Sequence, residues 1–341
     1  CTKPKTGKPR CMNKEEFEKE CSLEINVLIV SFKSTMEKVY SQDDINKLIN
    51  KINEFIDVLR DYDNLNGVFL FLDQDEVLKY ASKKVTDVKD WGQTKQILYE
   101  IIKKFNVKYV IIVGGFDRFP QPGVSCCPSV DKSEASGLMF SDSKYVDFND
   151  DNFPDIIIAR VPDPNKGDVE VLLNAFSSFI AAHKNGEVEL NSFISPIMGC
   201  GGYDNKDYCS GKCFCYSVFP QYAHPCGNYC GCIYWQDLNN KNFVMILTHG
   251  PGAMPYDFLH GGCINSRPTD LLGINVKNSV WFSMACGGGH LRLKDTTENS
   301  FVMTFLKQGG LIYIASTDLN YGRLGPYPYV CTVPGCDYRI G

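Results

Sequence analysis

The sequence lacks any apolar run that approaches the ~20 residues a membrane-spanning helix requires. Its longest apolar runs, such as Val27 to Val30 and Tyr109 to Val113, have the length of strands. It also lacks a surplus of basic residues, because 35 Lys and Arg stand against 40 Asp and Glu and give a formal net charge of -5. We therefore expect neither a membrane span nor a nucleic-acid partner.

No Gly/Ser-rich or Pro-rich linker divides the 341 residues, so abutting subdomains are expected rather than separate modules. Short apolar runs alternate with amphipathic stretches, which is typical of an α/β protein with mostly parallel sheets flanked by helices. A polar stretch at 184–191 marks the expected break. The predicted units are an N-terminal arm (1–21), a first α/β subdomain without the active site (22–188) and a second α/β subdomain with it (189–341).

The periodicity of apolar residues predicts the individual elements. Predicted strands, most of them buried on both faces, are Ile25 to Phe32, Gly67 to Leu72, Tyr109 to Gly114, Asp155 to Val161, Phe193 to Gly199, Phe243 to Thr248, Ser279 to Ala285 and Gly310 to Ser316. Predicted helices are Asp43 to Arg60, Gly92 to Phe105, Asp168 to His183 and Glu298 to Lys307. Ser41 and Asp44 resemble a capping box in front of the first helix.

The chain carries 16 cysteines, a density that indicates oxidised thiols and an extracellular or cell-surface location. Six of them repeat the spacing Cys-x3-Cys-x-Cys within an insertion at 209–232: Cys209, Cys213, Cys215, Cys226, Cys230 and Cys232. Disulfides are favoured for this repeat. Zinc or an iron-sulfur cluster is the alternative, although no His-x3-5-His spacing follows it.

Two predicted strands end in a reactive side chain followed by glycine: one stops at His249-Gly250 and the other at Cys286-Gly-Gly-Gly289. The carboxyl edge of a parallel sheet is where α/β proteins carry their sites. Nucleophilic catalysis needs a thiolate, an acid-base partner and donors for an oxyanion. Cys286 supplies the nucleophile and His249 the partner, while the backbone N–H groups of Gly250 and Cys286 are candidates for the oxyanion hole.

With these residues the chain resembles the catalytic domain of the gingipain-like cysteine peptidases, relatives of caspases and legumains. The resemblance extends over roughly residues 22 to 325 through the runs Tyr109-Val-Ile-Ile-Val-Gly-Gly115, Ser141-Asp-Ser-Lys-Tyr145, Pro154-Asp-Ile-Ile-Ile-Ala-Arg-Val-Pro162 and Gly310-Leu-Ile-Tyr-Ile-Ala-Ser-Thr317. It implies a caspase-like fold in two subdomains. It also implies a cysteine endopeptidase that acts on protein or peptide substrates through a thioester.

The chain departs from that family at two places. Where gingipains carry a glutamate that supports the histidine, the resemblance puts Cys200, so we expect a dyad. The cysteine-rich insertion falls where the family builds its specificity pocket. There Asp207 and Asp204 are candidates to bind Arg or Lys of a substrate, and Tyr321 resembles an aromatic that covers the pocket.

No cofactor is expected for catalysis, but an acidic segment suggests structural calcium. Asp147, Asn149 and Asp151 supply hard oxygen ligands, with Asp150 and Asp155 nearby. The spacing is not that of an EF-hand loop, and a solvated acidic turn is the alternative.

Two other functions stay open beside the peptidase. One is a catalytically inactive binding or adhesion protein of the cell surface with the same fold, suggested by the missing glutamate and the unusual insertion. The other is a metal or redox protein built on the cysteine repeat.

Overall fold

The structure is a computed structural model that describes residues 24–125, 138–151, 153–186, 193–194, 238–246, 256–257, 259–261, 264–283, 285, 288–292 and 294–315. Within them the chain forms two four-stranded parallel sheets with helices packed against them, which confirms the α/β class. The N-terminal arm, the insertion at 209–232 and all 16 cysteines lie outside the described residues.

The first sheet has the strand order β2-β1-β3-β6. Its strands are β1 (Val27–Ser31), β2 (Gly67–Phe71), β3 (Tyr109–Val113) and β6 (Ile157–Val161), and an antiparallel pair beside it is formed by β4 (Gly123–Ser125) and β5 (Leu138–Phe140). The helices of this half are α1 (Lys33–Met36), α2 (Gln42–Asp63), α3 (Trp91–Phe105) and α4 (Val169–Asn185), with 3-10 helices at Asp75–Lys79 and Asp142–Tyr145.

The second sheet has the strand order β12-β11-β8-β7. Its strands are β7 (Phe193–Ile194), β8 (Phe243–Ile246), β11 (Val280–Ser283) and β12 (Ile312–Ala315), and a small antiparallel pair is formed by β9 (Leu259–Gly261) and β10 (Ile264–Ser266). Helix α5 (Phe301–Lys307) packs on this half, with 3-10 helices at Pro268–Gly273 and Thr297–Asn299.

Helix α2 shows how the local sequence sets the boundaries of an element. Ser41 caps its first turn by accepting the Asp44 N–H at 3.2 Å, and Asn64 ends it in the left-handed conformation with φ 56°. The expected capping box forms only in part, because the Asp44 carboxylate accepts from the Ser41 hydroxyl instead of its backbone N–H. An apolar stripe that includes Leu48 and Phe55 faces the core, as its periodicity predicts.

Helix α4 connects the two halves of the molecule, because it packs against α2 on one side and α5 on the other. Phe176 of α4 lies 5.7 Å from Phe55 of α2 between ring centroids, and one apolar cluster extends from β1 and α2 through α4 to Trp281 and α5. The two sheets therefore share a core. Whether the chain divides at residue 188 into two subdomains stays a prediction.

The edge strands are less buried than we expected for strands of a parallel sheet. Central β1 is buried throughout, but Ile157 of β6 is 62% exposed, and Ile312 and Ile314 of β12 are 50% and 49% exposed. An apolar run predicts a strand without showing whether it lies in the middle of a sheet or at its edge. These two strands are therefore not among those buried on both faces.

The last helix also differs from the prediction, which began it at Glu298. The segment Thr297–Asn299 forms a 3-10 helix, and α5 starts only after Ser300, whose side chain accepts the Met303 N–H at 3.4 Å. A serine cap inside the predicted range therefore delays the helix.

As to membranes, the part of the chain that the structure describes contains no helix with the length and apolarity needed to span one.

The close approach of β3 to the segment after β6 generates a test of the fold. A Cβ atom on Gly115 would lie well inside van der Waals contact of the Asp163 carbonyl oxygen, whereas a Cβ on Gly273 would meet nothing within 4 Å. We expect Gly115→Ala to lower the free energy of unfolding by about 1–3 kcal/mol, because the backbone of a packed region must move. Urea unfolding measures this.

Gly273→Ala is the matched control, and its effect should stay within about 1 kcal/mol because the site is open. Equal stability of the two variants would contradict the described contact between the ends of β3 and β6.

Candidate active site

The two strands with reactive ends are neighbours at the centre of the second sheet. Strands β8 and β11 pair in parallel, and Ile246 lies opposite Ser283 at the carboxyl end of the pair. His249 follows Ile246 by three residues, and Cys286 follows Ser283 by three residues. Both catalytic candidates lie outside the described residues, at equal sequence distance from paired positions. The carboxyl edge of this sheet is thus where the candidate site belongs.

The described residues on either side of position 286, Ala285 and Gly288–Gly289, are closely packed. Ala285 is fully buried, its N–H donates to the Ser283 hydroxyl at 3.4 Å, and its carbonyl accepts the Gly288 N–H at 3.2 Å. A Cβ on Gly289 would come within 3.0 Å of the Ala315 carbonyl oxygen at the end of β12. The chain therefore turns at the end of β11 against its neighbouring strand, where the glycines admit an approach that larger residues would obstruct.

A buried ion pair joins the two segments that follow the candidates in sequence. Asp257 comes after His249, and Lys294 comes after Cys286; Lys294 Nζ lies 2.6 Å from Asp257 Oδ1, with both side chains at most 1% exposed. The backbone N–H of Phe301, at the start of α5, donates to the other carboxylate oxygen at 2.8 Å. Burial raises the pKa of the Asp257 carboxyl to about 6, against the opposing effect of the Lys294 ammonium.

The same segment of the second half is bonded to the first half. The Asn165 N–H donates to the Lys294 carbonyl at 2.8 Å, and the Lys166 N–H donates to the Asp295 carbonyl at 3.0 Å. The Asn165 amide donates to the Arg292 carbonyl at 2.9 Å. These bonds attach the loop after β6 to the loop after β11.

The carboxyl edge of the first sheet is filled by a closed polar cluster. Asp163 and Arg118 are at most 2% exposed, with Arg118 Nε 3.0 Å from Asp163 Oδ2. Asp163 also accepts the Gly115 N–H at 2.5 Å and the Tyr40 hydroxyl. Burial, with the nearby Asp163 charge, raises the pKa of the Tyr40 phenol well above its usual range. These groups satisfy one another, so the cluster has a structural role.

Three of the sequence runs on which the resemblance depends meet in space at this edge. Arg160, near the end of β6, contacts the Asp142 carboxylate through Nε at 2.8 Å and Nη2 at 2.5 Å, and its Nη1 donates to the Gly114 carbonyl at 2.6 Å. Tyr145 donates its hydroxyl to the Pro120 carbonyl. The arginine and the acidic turn thus tie β6 to the loop after β3.

The three residues predicted to bind calcium lie in one turn. The buried Asp147 has its Oδ2 2.7 Å from Lys144 Nζ and accepts the Asp151 N–H at 3.1 Å; Asn149 Oδ1 accepts the same N–H at 3.0 Å. Ammonium and N–H donors thus face oxygens that a cation would need. Among the described residues no cluster of three or more His, Cys, Asp or Glu is arranged to hold a metal ion. Calcium binding stays a prediction.

The other predicted site residues fall on parts of the chain outside the described residues. They are Gly250 of the oxyanion hole, Cys200 at the glutamate position, and Asp204, Asp207 and Tyr321 of the pocket. Their roles stay predictions.

Sequence reasoning missed both buried ion pairs that flank the sheet edges, Asp257 with Lys294 and Asp163 with Arg118. Each of these residues stands in a segment of mixed polarity between predicted elements, where an acid or base is usually solvated. No local spacing connects partners that are 37 or 45 residues apart. Only the fold brings them together.

The chain matches no protein-family model and no curated protein. Three solved structures share its fold. One, described as the structure of a protease, is 15% identical with a TM-score of 0.54 and covers 89% of this chain. The Arg specific cysteine proteinase gingipain R (RgpB) is 16% identical with a TM-score of 0.51, and the complex of Porphyromonas gingivalis RgpB pro- and mature domains is 14% identical with a TM-score of 0.50; each covers 86% of this chain.

The chain spans 63 to 64% of the length of these three chains. The likeness shows a shared architecture: this chain has the α/β fold of gingipain-like cysteine peptidases, as its sequence led us to expect. At 14–16% identity it extends to the fold alone.

The raised pKa of Asp257 predicts a specific pH dependence of stability. The unfolded carboxyl ionises near its ordinary value of about 3.9, whereas the folded protein retains the proton until about 6. As the pH rises through this interval, earlier ionisation favours the unfolded state, so this group's contribution to stability falls by at most about 3 kcal/mol.

We therefore expect the free energy of unfolding of the wild type, minus that of Asp257→Asn, to decrease between about pH 4 and pH 6 and then to level off. Urea unfolding of both proteins across this range gives the difference. A constant difference would show that Asp257 ionises in the folded protein as it does in water, and a difference that increases with pH would show that the fold lowers its pKa; either result would contradict the prediction.

Proposed function

We propose that this protein is a cysteine endopeptidase in which Cys286 is the nucleophile and His249 the acid-base group. The observation that carries the proposal is the in-register pairing of β8 with β11, which ends at Ile246 opposite Ser283. Neighbouring parallel strands lie roughly 4.8 Å apart. Two segments of the chain that continue equally far beyond paired positions are expected to stay close. A thiol and an imidazole need such proximity to exchange a proton.

In the proposed mechanism His249 takes the proton of the Cys286 thiol, and the thiolate attacks the carbonyl carbon of the scissile peptide bond. The carbonyl oxygen becomes an oxyanion, which accepts hydrogen bonds from the backbone N–H groups of Gly250 and Cys286. As the C–N bond breaks, His249 returns the proton to the leaving amine and a thioester remains.

The second half of the reaction hydrolyses that thioester. His249 takes a proton from water, and the hydroxide attacks the thioester carbon to form a second oxyanion at the same donors. Collapse of this intermediate breaks the C–S bond, and the proton passes to the sulfur. No metal or organic cofactor is required for either step.

We also propose that the protein acts outside the cytosol on protein or peptide substrates. The support is the load of 16 cysteines in 341 residues, which suits an oxidising compartment. One structural neighbour is a complex of pro- and mature domains, so a protein segment is a partner of that relative.

For substrate preference we propose cleavage after Arg or Lys, with Asp207 or Asp204 as the acid that pairs with the substrate cation. One structural neighbour is an Arg specific cysteine proteinase, which supports this choice. The rival is a neutral pocket walled by aromatic residues of the insertion, such as Tyr208 and Phe214.

The dyad predicts that Cys286→Ala and His249→Ala each reduce peptide cleavage by roughly a thousandfold or more, because each removes a group that acts in bond making or proton transfer. The measurement is cleavage of a peptide library by the wild type and both variants. His183→Ala is the matched control, since His183 pairs with Asp63 at 2.7 Å near the carboxyl end of α4. Its activity should equal that of the wild type.

Turnover that survives in both dyad variants would sink the assignment. A wild-type protein that cleaves nothing in the library, and whose Cys286 alkylates no faster than a free thiol, would instead favour the inactive binding protein.

Replacement of the pocket acids tests the proposed preference. Asp207→Asn or Asp204→Asn should lower kcat/KM for substrates with Arg before the cut by roughly 10- to 100-fold, because a charged hydrogen bond contributes about 1.5–3 kcal/mol. The control is a substrate with a neutral residue at that position, whose kcat/KM should not change. A wild-type cleavage profile dominated by neutral residues would discard the acidic pocket and leave the dyad intact.

A further inference from the structure

Asp257 and Lys294, which form the buried ion pair, follow the two proposed catalytic residues at the same sequence separation. Asp257 is eight residues after His249, and Lys294 is eight residues after Cys286. Each side chain therefore belongs to the segment that leaves the sheet after one member of the dyad. We propose that this pair is a positioning element that fixes the two segments, and with them His249 and Cys286, relative to each other. The inference rests on the proposed peptidase function.

Both charged side chains are buried, which restricts how far they can move apart. Asp257 is 1% exposed and Lys294 is 0% exposed, and their charged atoms lie 2.6 Å apart. Breaking a buried ion pair by removing one partner is strongly destabilising, so separation of the two segments would be energetically costly. A buried ion pair adds little net stability, and in the proposal its role is to select one arrangement of the two segments over others.

Hydrogen bonds around the pair hold its carboxylate in one orientation. The Phe301 N–H donates to Asp257 Oδ2 at 2.8 Å, and the Asp257 N–H donates to the Asn299 carbonyl at 2.8 Å. These contacts join the segment after His249 to the start of α5, a helix whose apolar residues are buried in the shared core. The pair is thus anchored on a rigid element.

Hydrogen bonds from the first half of the molecule hold the segment that contains Lys294. Asn165 donates its N–H to the Lys294 carbonyl and its side-chain amide to the Arg292 carbonyl, at 2.8 and 2.9 Å. Two residues earlier in the chain, Asp163 is locked against Arg118 in the closed cluster at the edge of the first sheet. The half without the proposed dyad therefore holds the loop that follows Cys286.

In this arrangement the ion pair should affect the rate of the chemical steps and not the binding of the substrate. A shift of about 1 Å between a nucleophile and its base lowers turnover by roughly a hundredfold. Loss of the pair should therefore lower kcat and the alkylation rate of Cys286 together, and leave KM almost unchanged.

The test uses the full chain and the variant Asp257→Leu/Lys294→Met, which replaces the buried charges with apolar side chains of similar size and avoids a stranded ion. We expect kcat and the rate of Cys286 alkylation to fall at least about tenfold, with KM changed less than about threefold. Lys294→Arg keeps the charge and should retain most activity. Asn165→Ala, at a partly exposed position, should shift both rates in the same direction by a smaller factor.

Asp142→Asn is the matched control, because it breaks a partly buried ion pair with Arg160 at the edge of the first sheet. It should lower the unfolding midpoint and leave kcat unchanged. A folded double variant with wild-type kcat and alkylation rate would overturn the proposal. If the double variant does not fold, unchanged kcat and alkylation in Asn165→Ala overturn it instead.

The outcome also separates this proposal from the function on which it rests. If the wild type cleaves peptides and Cys286→Ala does not, while the pair variants remain fully active, only the positioning role fails. If the wild type shows no Cys286-dependent cleavage, the peptidase proposal fails and the positioning role with it.

Discussion

The in-register parallel pairing of β8 with β11 is the constraint on which the rest of the account depends. Ile246 lies opposite Ser283, and the proposal that His249 and Cys286 meet depends on this register, because each follows one of these paired positions by three residues. A register shift of one residue would exchange the faces of a whole strand, and the buried Trp281 and Val244 on the core face resist it. The side chains that fill the core thus fix the register of the two strands, and the register determines which residues reach the carboxyl edge.

The charged groups near the carboxyl edges of the two sheets are paired in different ways. At the first sheet, Asp163, Arg118 and Tyr40 bond to one another and leave no charge open to a ligand. In the second half, the described charged groups Asp257 and Lys294 pair with each other, and each follows one of the catalytic candidates by eight residues in sequence. Hydrogen bonds from Asn165 and Lys166 connect the edges, and α4 shares its core with both halves. The first half therefore supports the second through polar contacts as well as through apolar burial.

Much of the fold was predictable from local pattern, because the information was local. The apolar stripe of α2 and its Ser41 cap predicted the helix, and the apolar runs predicted the strands of the two parallel sheets, although not the strands of the two antiparallel pairs. What failed depended on distant parts of the chain: the exposure of Ile157 and Ile312 follows from strand order, which periodicity does not encode. The Asp257–Lys294 pair was missed for the same reason. Candidates for the dyad were found because glycine follows a reactive residue at a strand end, a signal that is itself local.

Cross-linking with dibromoacetone tests the central claim most directly, because this short bifunctional ketone alkylates a reactive thiol and then a nucleophile within immediate reach. The account predicts one bridged product in which the peptide that carries Cys286 is joined to the peptide that carries His249, and no such product from His249→Ala. Labelling of Cys286 without a bridge, or a bridge to any other residue, would contradict the claim that the ends of β8 and β11 bring these two side chains together.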